Sequence, residues 1–448
     1  MKAWIYVILI LATSGWVRAQ SQGDSLALVD FYHSTGGPNW TQTWDLDAPV
    51  AEWYGVIVEE GRVAGLTLNG NGLSGVISPS IGDLDALGAL DLSFNALTGN
   101  VPALPENLFF LDLSHNALTG PVPVGANQLW YLNLSHNGLT GSVPAALSDA
   151  ASLSELDLSH NDLEGPLPAA LSALAELNYL NVSSNRLSGA LPEAYGNFEF
   201  LTVMDVSSNR LSGALPEAYN NLFFLNELRI NDNELDELPV IAGPLLLGAF
   251  YAQNNRFDFG DVEPNAVKFM GAGEYAYAPQ DSILEAAEIT ALEGEQVTIS
   301  AATPGTLNGY QWYFNGEAFS QSETVVFGAT QGGVFHCDVT NDLATGLVLH
   351  RRPIRLNVVA LQYPGDANRD RVCDATDVFF TASAYGAEGP AREQGGLLWQ
   401  PYPAAQDWPL NLDFRGQTLN AKFCDADGDG VVTLFDLAAA VANRGLSY

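Results

Sequence analysis

The chain has 448 residues, with 52 acidic side chains against 17 basic ones and a formal charge of −35. That balance repels phosphate backbones and anionic lipid, which excludes nucleic acid and membrane surfaces as natural partners, and it suits divalent cations. At 47% hydrophobic residues and only three cysteines, the chain can fill several cores but is not a disulfide-stapled scaffold.

Residues 1–19 read as a secretory signal. Lys2 gives a positive start, Ile5 to Ala12 form an apolar run, and Val17-Arg18-Ala19 offers small residues for cleavage before Gln20. The run is too short to cross a bilayer, and no later stretch is long enough, so a secreted chain with no membrane span is expected.

From Arg62 the sequence repeats itself. The segments LDLSFNALTGNVP, LDLSHNALTGPVP, LNLSHNGLTGSVP and LDLSHNDLEGPLP show the unit. Its asparagines are Asn71, Asn95, Asn116, Asn137, Asn161, Asn185, Asn209, Asn233 and Asn255, spaced 24, 21, 21, 24, 24, 24, 24 and 22 apart. This period with L-x-x-L-x-L-x-x-N marks a leucine-rich-repeat solenoid of α/β type over residues 62–275. Leucines such as Leu90 and Leu92 alternate inward from a short strand, and stacked units share one core. The asparagine is expected to turn inward and satisfy backbone groups at the strand exit. Gly99, Gly120, Gly141 and Gly165 make a tight bend, and Pro102, Pro123, Pro144 and Pro168 are expected where the chain runs extended on the convex side.

Seven successive units from Val101-Pro102 to Leu238-Pro239, six of them L-x-G-x-[VIL]-P and the last the shorter LDELP without the glycine, resemble the plant-type leucine-rich repeat. Residues 20–61 look like the N-terminal cap of such proteins. They lack its usual cysteine pair, and Trp40, Trp44 and Trp53 are expected to cover the first repeat instead.

Residues 281–359 change to strand-like alternation. GEQVTISAAT, GYQWYFNG and GGVFHCDVTN resemble strands B, C and F of an immunoglobulin-like all-β sandwich, with Trp312 as the buried tryptophan and Cys337 as the strand F cysteine. The strand B cysteine of that family falls at Ala301 and its corner tyrosine at Phe335, so the inter-sheet disulfide is expected to be missing.

Residues 362–448 carry two loops rich in hard oxygen ligands. Asp366, Asn368, Asp370, Asp374 and Asp377 fall at positions 1, 3, 5, 9 and 12 of an EF-type loop, with the Val372 carbonyl at position 7. Asp425, Asp427, Asp429, Thr433 and Asp436 repeat the spacing, with the Val431 carbonyl. Two Ca2+ sites are expected, the second the stronger because Gly430 supplies its sharp turn where the first has Arg371. With the Ala-rich stretch after each loop, this pair resembles a small helical dockerin module. The resemblance implies a bacterial source and a cohesin-like partner. Ala375-Thr376 and Leu434-Phe435, at the recognition positions, match neither each other nor the common pattern, which puts that partner in doubt. Cys373 and Cys424, in or beside the two loops, are candidates for a disulfide.

Two features of the repeats invite a functional reading. His115, His136 and His160 share one repeat position, roughly 5 Å apart on stacked strands, where a metal site competes with an ordinary solvated turn. A second set points outward from the strands of the concave face: Phe110, Tyr131 and Tyr179 in one column, with Asp112 and Asp157 in the column of Asp91, Asn133, Asn181 and Asp205. Aromatic rings beside polar acceptors suit a partner protein or glycan. No nucleophile elbow, phosphate loop or metalloprotease signature is present, so a recognition or adhesion protein is expected rather than an enzyme. The alternative is a scaffold component docked into an extracellular enzyme complex by its C-terminal module.

Overall fold

The computed structural model describes residues 21–241, 248–271, 274–362 and the short segments 402–403, 411–414, 417–420 and 431–432. They fall into two compact units. One holds the described residues through Ser282 with Thr303–Asn308 and Thr340–Leu349; the other holds Ile283–Ala302, Gly309–Val339 and the described residues from His350 onward.

The first unit is a solenoid with parallel sheets. Each repeat gives a three-residue strand such as Phe110–Asp112, Tyr131–Asn133 or Glu155–Asp157, and among the described residues eleven strands join into one sheet. Only the first pairing, Val56–Glu59 with Arg62–Thr67, is antiparallel; the repeats then pair in parallel with no slip. The middle residue of each strand points inward, and Leu90, Leu111, Leu156 and Leu180 are completely buried. Eight further strands, from Ser74–Val76 to Glu234–Glu237, form a second sheet across the repeats.

The unequal repeat lengths have a local cause. The units of 24 residues each hold a five-residue 3-10 turn, such as Ala145–Asp149, Ala169–Ala173, Glu193–Asn197 and Glu217–Asn221. The two units of 21, between Asn95 and Asn137, have none. Three residues make one turn of this helix type, so the difference is a single turn. The prolines correct an expectation here. Pro144, Pro168, Pro192 and Pro216 are extended themselves, but each leads directly into a 3-10 turn as its cap rather than into a longer extended run.

The asparagines form a ladder through the interior. Asn95 donates from Nδ2 to the carbonyls of Leu68, Leu92 and Ser93 at 2.9, 2.9 and 3.1 Å, and its Oδ1 accepts from Leu73 N–H at 2.9 Å. Asn116, Asn137, Asn161, Asn185, Asn209, Asn233 and Asn255 likewise donate to a carbonyl of the preceding repeat. Each amide therefore satisfies its own turn and the previous one.

Both ends of the ladder are closed by glutamine. Gln42 exchanges backbone hydrogen bonds with the Asn71 side chain. At the far end Gln280 does the work of a further asparagine. Its Oε1 accepts from Asn255 N–H and Phe257 N–H, and its Nε2 donates to the Ala252 carbonyl at 2.9 Å.

Before the first repeat, helix Gln22–Ser34 starts at Ser21, whose hydroxyl accepts from Asp24 N–H. Trp40, Trp44 and Trp53 are buried and packed on one another, with Trp44 and Trp53 stacked at 4.7 Å. Each indole N–H reaches a backbone carbonyl. Asp24, almost wholly buried, takes a bidentate grip from Arg62 and a bond from Val63 N–H. Burial alone raises its pKa, but these hydrogen bonds outweigh it and hold the carboxyl below its ordinary value.

Residues 287–359 are all-β. One sheet runs in the order Ala287–Leu292, Val348–Val359, Gly333–Asn341, Asn308–Phe314 and Glu317–Ser320; a second pairs Gln296–Ser300 with Thr324–Gly328. Trp312 is fully buried, with its indole N–H on the Ser322 carbonyl at 2.9 Å. Cys337 is a buried free thiol and Ala301 is also buried. Phe335 gathers Phe314, Phe319 and Phe327 around it, with ring centroids 4.6 to 5.7 Å away.

The ladder carries a direct test. Asn137→Ala removes the acceptor of Leu118 N–H and the donor to the Leu113, Leu134 and Ser135 carbonyls. The solenoid should lose about 1–3 kcal/mol in a denaturant titration, because buried backbone groups are orphaned. Thr119→Ala, exposed in the second sheet, should stay within about 0.5 kcal/mol. Equal losses for the two variants would remove the ladder from its central place.

Candidate functional site

The solvent face of the eleven-stranded sheet carries two columns, set by the first and third residues of each strand. The first runs Ala89, Phe110, Tyr131, Glu155, Tyr179, Val203 and Glu227 in continuous register. The third runs Asp91, Asp112, Asn133, Asp157, Asn181, Asp205 and Arg229 in the same register. Phe110, Tyr131, Tyr179, Asp112 and Asp157 therefore do share one face.

The rings form a cluster larger than the sequence reading assigns. Phe110 and Tyr131 stack at 4.6 Å with planes 8° apart, and Trp130 meets both edge-on or tilted at about 6 Å. Phe109 lies over Gly88, where a Cβ would stand 2.3 Å from the ring, so only glycine fits beneath it. Phe109 and Trp130 were missed because the repeat pattern assigns no role to the residue just before the strand. The doublets Phe109-Phe110 and Trp130-Tyr131 are the signal that marks them.

The acidic column is less open than its outward direction implies. Asp91 and Asp112 are only 3% and 6% exposed. In each, Oδ1 accepts both N–H and Oγ–H of the serine two residues on, Ser93 and Ser114, at 2.6 to 3.0 Å. Asn133, Asp157, Asn181 and Asp205 make the same turn with Ser135, Ser159, Ser183 and Ser207. One oxygen of every member is thus committed to the backbone.

Where tyrosine stands first in the strand, asparagine stands third. Asn133 Nδ2 donates to Tyr131 Oη at 3.4 Å and Asn181 Nδ2 to Tyr179 Oη at 3.2 Å. An amide offers that donor and a carboxylate does not.

Burial pushes the Asp91, Asp112, Asp205 and Glu155 carboxyls above their ordinary values. For Asp112 the charges of Asp91 and Asp157 add to burial. Burial, then the Asp112 charge, also raises the Tyr131 phenol. The face is a row of partly desolvated acids beside aromatic rings, with Arg229 at one end. That arginine is paired with Glu227 and lies 4.6 Å over the Tyr251 ring.

The histidines make a separate feature. Phe94, His115, His136 and His160 stack ring on ring at 4.0 to 4.1 Å, closer than the spacing read from strand geometry. All four have left-handed backbone, with φ between 53° and 55°. Such a conformation costs about 1–2 kcal/mol in a residue with a side chain. Here it is held by N–H bonds to the next repeat, His115 to Ser135 and His136 to Ser159. Burial, then the neighbouring imidazoles, lowers the His136 pKa. Among the described residues no group of histidine, cysteine and acidic side chains is arranged to hold a metal ion.

Of the expected calcium ligands only Val431 lies within the described residues. Asp366, Asn368, Asp370, Val372, Asp374, Asp377, Asp425, Asp427, Asp429, Thr433 and Asp436 lie outside them, as do Cys373 and Cys424.

Comparison with known proteins bears on the repeats. The leucine-rich-repeat family matches residues 127–187. The chain is 34% identical over 97 residues to the LRR receptor-like serine/threonine-protein kinase EFR of Arabidopsis thaliana, spanning 20% of this chain and 9% of that protein. It is 38% identical over 102 residues to the receptor protein kinase WSS1 of Oryza sativa subsp. japonica, spanning 22% of this chain and 10% of that one. The chain is a leucine-rich-repeat protein with repeats of the plant-receptor type. These matches cover about a tenth of each relative's length. Among solved structures, a plant ice-binding protein aligns at 26% identity over 54% of this chain and 88% of its own, with a TM-score of 0.47. The plant peptide hormone receptor RGFR1 in complex with RGF2 aligns at 26% identity over 50% of this chain and 40% of its own, with a TM-score of 0.41.

The acidic column makes a testable statement. Asp112→Asn keeps the acceptor for Ser114, as Asn133 and Asn181 already do for their serines. The folded Asp112 pKa lies above its unfolded value, so the ionised form opposes folding above the folded pKa, and the penalty is gone below the unfolded value near 3.8. The variant should therefore melt higher than wild type at neutral pH, with the gap closing as pH falls toward 3.8. A lower melting temperature at neutral pH would mean the charge stabilises the fold.

Proposed function

We propose that this is a secreted recognition protein of bacterial source whose repeat face binds a partner protein or glycan. The observation that carries the reading is the aromatic and acidic patch around Phe110, Tyr131 and Tyr179. These rings stand on the solvent side of strands whose core contact is made by the intervening leucines. Their roles are as stacking platforms, with Asp112 offering its second carboxylate oxygen to a donor on the ligand and Asp157 a lone pair of the oxygen that Asn181 Nδ2 meets at 3.4 Å. Carboxyls desolvated by burial, with the charges of Asp91 and Asp157 added at Asp112, favour a ligand that brings positive charge. No helix among the described residues is long and apolar enough to cross a membrane.

The test is a surface plasmon resonance screen of the full secreted chain against glycans and peptides, arginine-rich peptides included. Whichever member binds is then titrated against the Tyr131→Ala, Tyr179→Ala double variant. Removing Tyr131 also removes its stack on Phe110, so the fold should lose about 1 kcal/mol per ring, more than an open surface position would. Binding should fall by about 2 kcal/mol or more if the rings are anchors. Equal affinity for the two proteins would place the binding surface elsewhere.

The all-β unit fits an immunoglobulin-like sandwich, held by packing around Trp312 and Phe335 with Cys337 unpaired. For the C-terminal residues the proposal is a module with two Ca2+ sites, formed by the two acidic loops named above, with a Cys373–Cys424 disulfide. The donor set, carboxylates with one backbone carbonyl per loop, fits a hard cation. Val432 is completely buried directly after the Val431 carbonyl, which fits a loop anchored at that point. Docking to a cohesin-like partner is left out, because the two loops differ at the residues that would make it.

Calorimetry of the full chain should show one transition that rises with calcium. At a hundredfold excess over the dissociation constant the gain is about 2.7 kcal/mol per site. Asp425→Ala should reduce this shift more than Asp366→Ala. A scan identical in EDTA and in millimolar calcium would sink the module, and three free thiols in the non-reduced mass would exclude the disulfide.

A further inference from the structure

The all-β unit holds a crevice of about 400 Å3 that none of the readings above uses. It is lined by Ala287, Ile289 and Ile354 together with Thr298, Ile299 and Ser300, and Arg351 is part of the lining. Ile299 belongs to the small sheet of two strands, Ile289 and Ile354 to the large one. The volume falls within the range of small-ligand pockets, roughly 300–1,000 Å3.

Arg351 is the anomaly. Its Nε donates to the Ser300 carbonyl at 2.9 Å and one Nη1 N–H to the Arg352 carbonyl at 2.5 Å. Among the described residues it makes no ion pair, whereas the adjacent Arg352 pairs with Glu285 at 3.3 Å. Burial lowers its pKa, and no carboxylate acts on it in the opposite sense. A partly desolvated cation with spare donors, beside an apolar cleft, is costly unless an anion completes it. A strut to Ser300 needs a single N–H, which an uncharged side chain supplies equally well.

We propose that the crevice binds a small amphipathic carboxylate, with its aliphatic tail along Ile289, Ile299 and Ile354 and its carboxylate on the Arg351 guanidinium. The geometry favours this class on two grounds. Most of the lining is apolar, with Thr298 and Ser300 the exceptions beside Arg351, which suits a hydrocarbon, and the polar end is a planar fork matched to two carboxylate oxygens. This site is independent of the repeat face. The chain's net charge of −35 opposes any anion at long range, so moderate salt should strengthen binding rather than weaken it.

Isothermal titration calorimetry of the full chain with decanoate tests the proposal, with decanol and decyltrimethylammonium as headgroup controls. Decanoate should bind one to one, and decanol about tenfold more weakly, the loss of a charge-assisted hydrogen bond. Decyltrimethylammonium should bind less well than decanol. Arg351→Gln should weaken decanoate about tenfold and leave decanol unchanged, while Arg351→Lys keeps part of the preference. Ala287→Phe, which fills the cleft, should abolish both. The proposal is overturned if wild type does not bind decanoate, if decanoate and decanol bind equally, or if Arg351→Gln retains wild-type affinity. Should Arg351→Gln lose the near-ultraviolet circular dichroism of the buried Trp312, the headgroup series on wild type decides the question alone.

Discussion

The amide of the repeat asparagine is the interaction on which the solenoid depends. A chain that bends sharply after every three-residue strand would bury carbonyls and N–H groups with nothing to pair them. One planar amide, with two donors and an acceptor, bonds its own turn and the turn before. The bond geometry also explains the backbone just upstream. The residue preceding each asparagine is left-handed whether it is Phe94, His115, Ser184 or Asp232. Glycine stands there only once, as Gly70 before Asn71, so the ladder and not the local residue imposes the conformation. Gln42 and Gln280 show that the requirement persists at both ends, where no further repeat supplies the partner.

The solvent face inherits its chemistry from the same constraint. The turn after each strand needs an acceptor for the serine N–H and hydroxyl, and either aspartate or asparagine provides it. The choice between them is then open to the neighbours. Beside tyrosine the amide stands, because it can also donate to the phenol; beside Phe110 and Glu155 the acid stands, as Asp112 and Asp157. The acidic column is a structural column first. Its charge is a consequence that a ligand could use, although in Asp157 one oxygen holds Ser159 and the other already accepts from Asn181 Nδ2 at 3.4 Å.

Legibility followed periodicity. The leucines, the asparagines, the glycine bends and the strand faces recur at fixed spacing, so one repeat explains all the others. What does not recur was hidden. Gln280 stands 25 residues beyond Asn255 in a segment with no leucine pattern, and its longer side chain disguises the same role. The burial of Asp91 and Asp112 could not be read from their outward direction, since Asp157 and Asp205 make the same serine turn and are less buried. Phe109 and Trp130 were invisible to the pattern because that position tolerates Gly88, Ser154 or Asn178 elsewhere. The acidic loops were legible by their oxygen spacing alone, and their residues lie almost wholly outside the described structure.

Separability of folding from recognition follows from how the load is shared. In a solenoid each unit touches only its neighbours, so stability is roughly a sum over units and their interfaces. The inward leucine and the asparagine of a strand are constrained by two adjacent repeats. The first residue of that strand is constrained only by its lateral neighbours in the column. Ala89, Phe110, Tyr131, Glu155 and Val203 all occupy that place without any change of register. The column therefore tolerates alanine, aromatic, acidic and branched side chains on an unvarying backbone. Three aromatic rings within four consecutive repeats are not required by the fold, and the half-buried stack of Phe110 on Tyr131 adds only a modest stabilisation. The strand would be as well formed without them, which leaves this column free to serve the recognition proposed for the face.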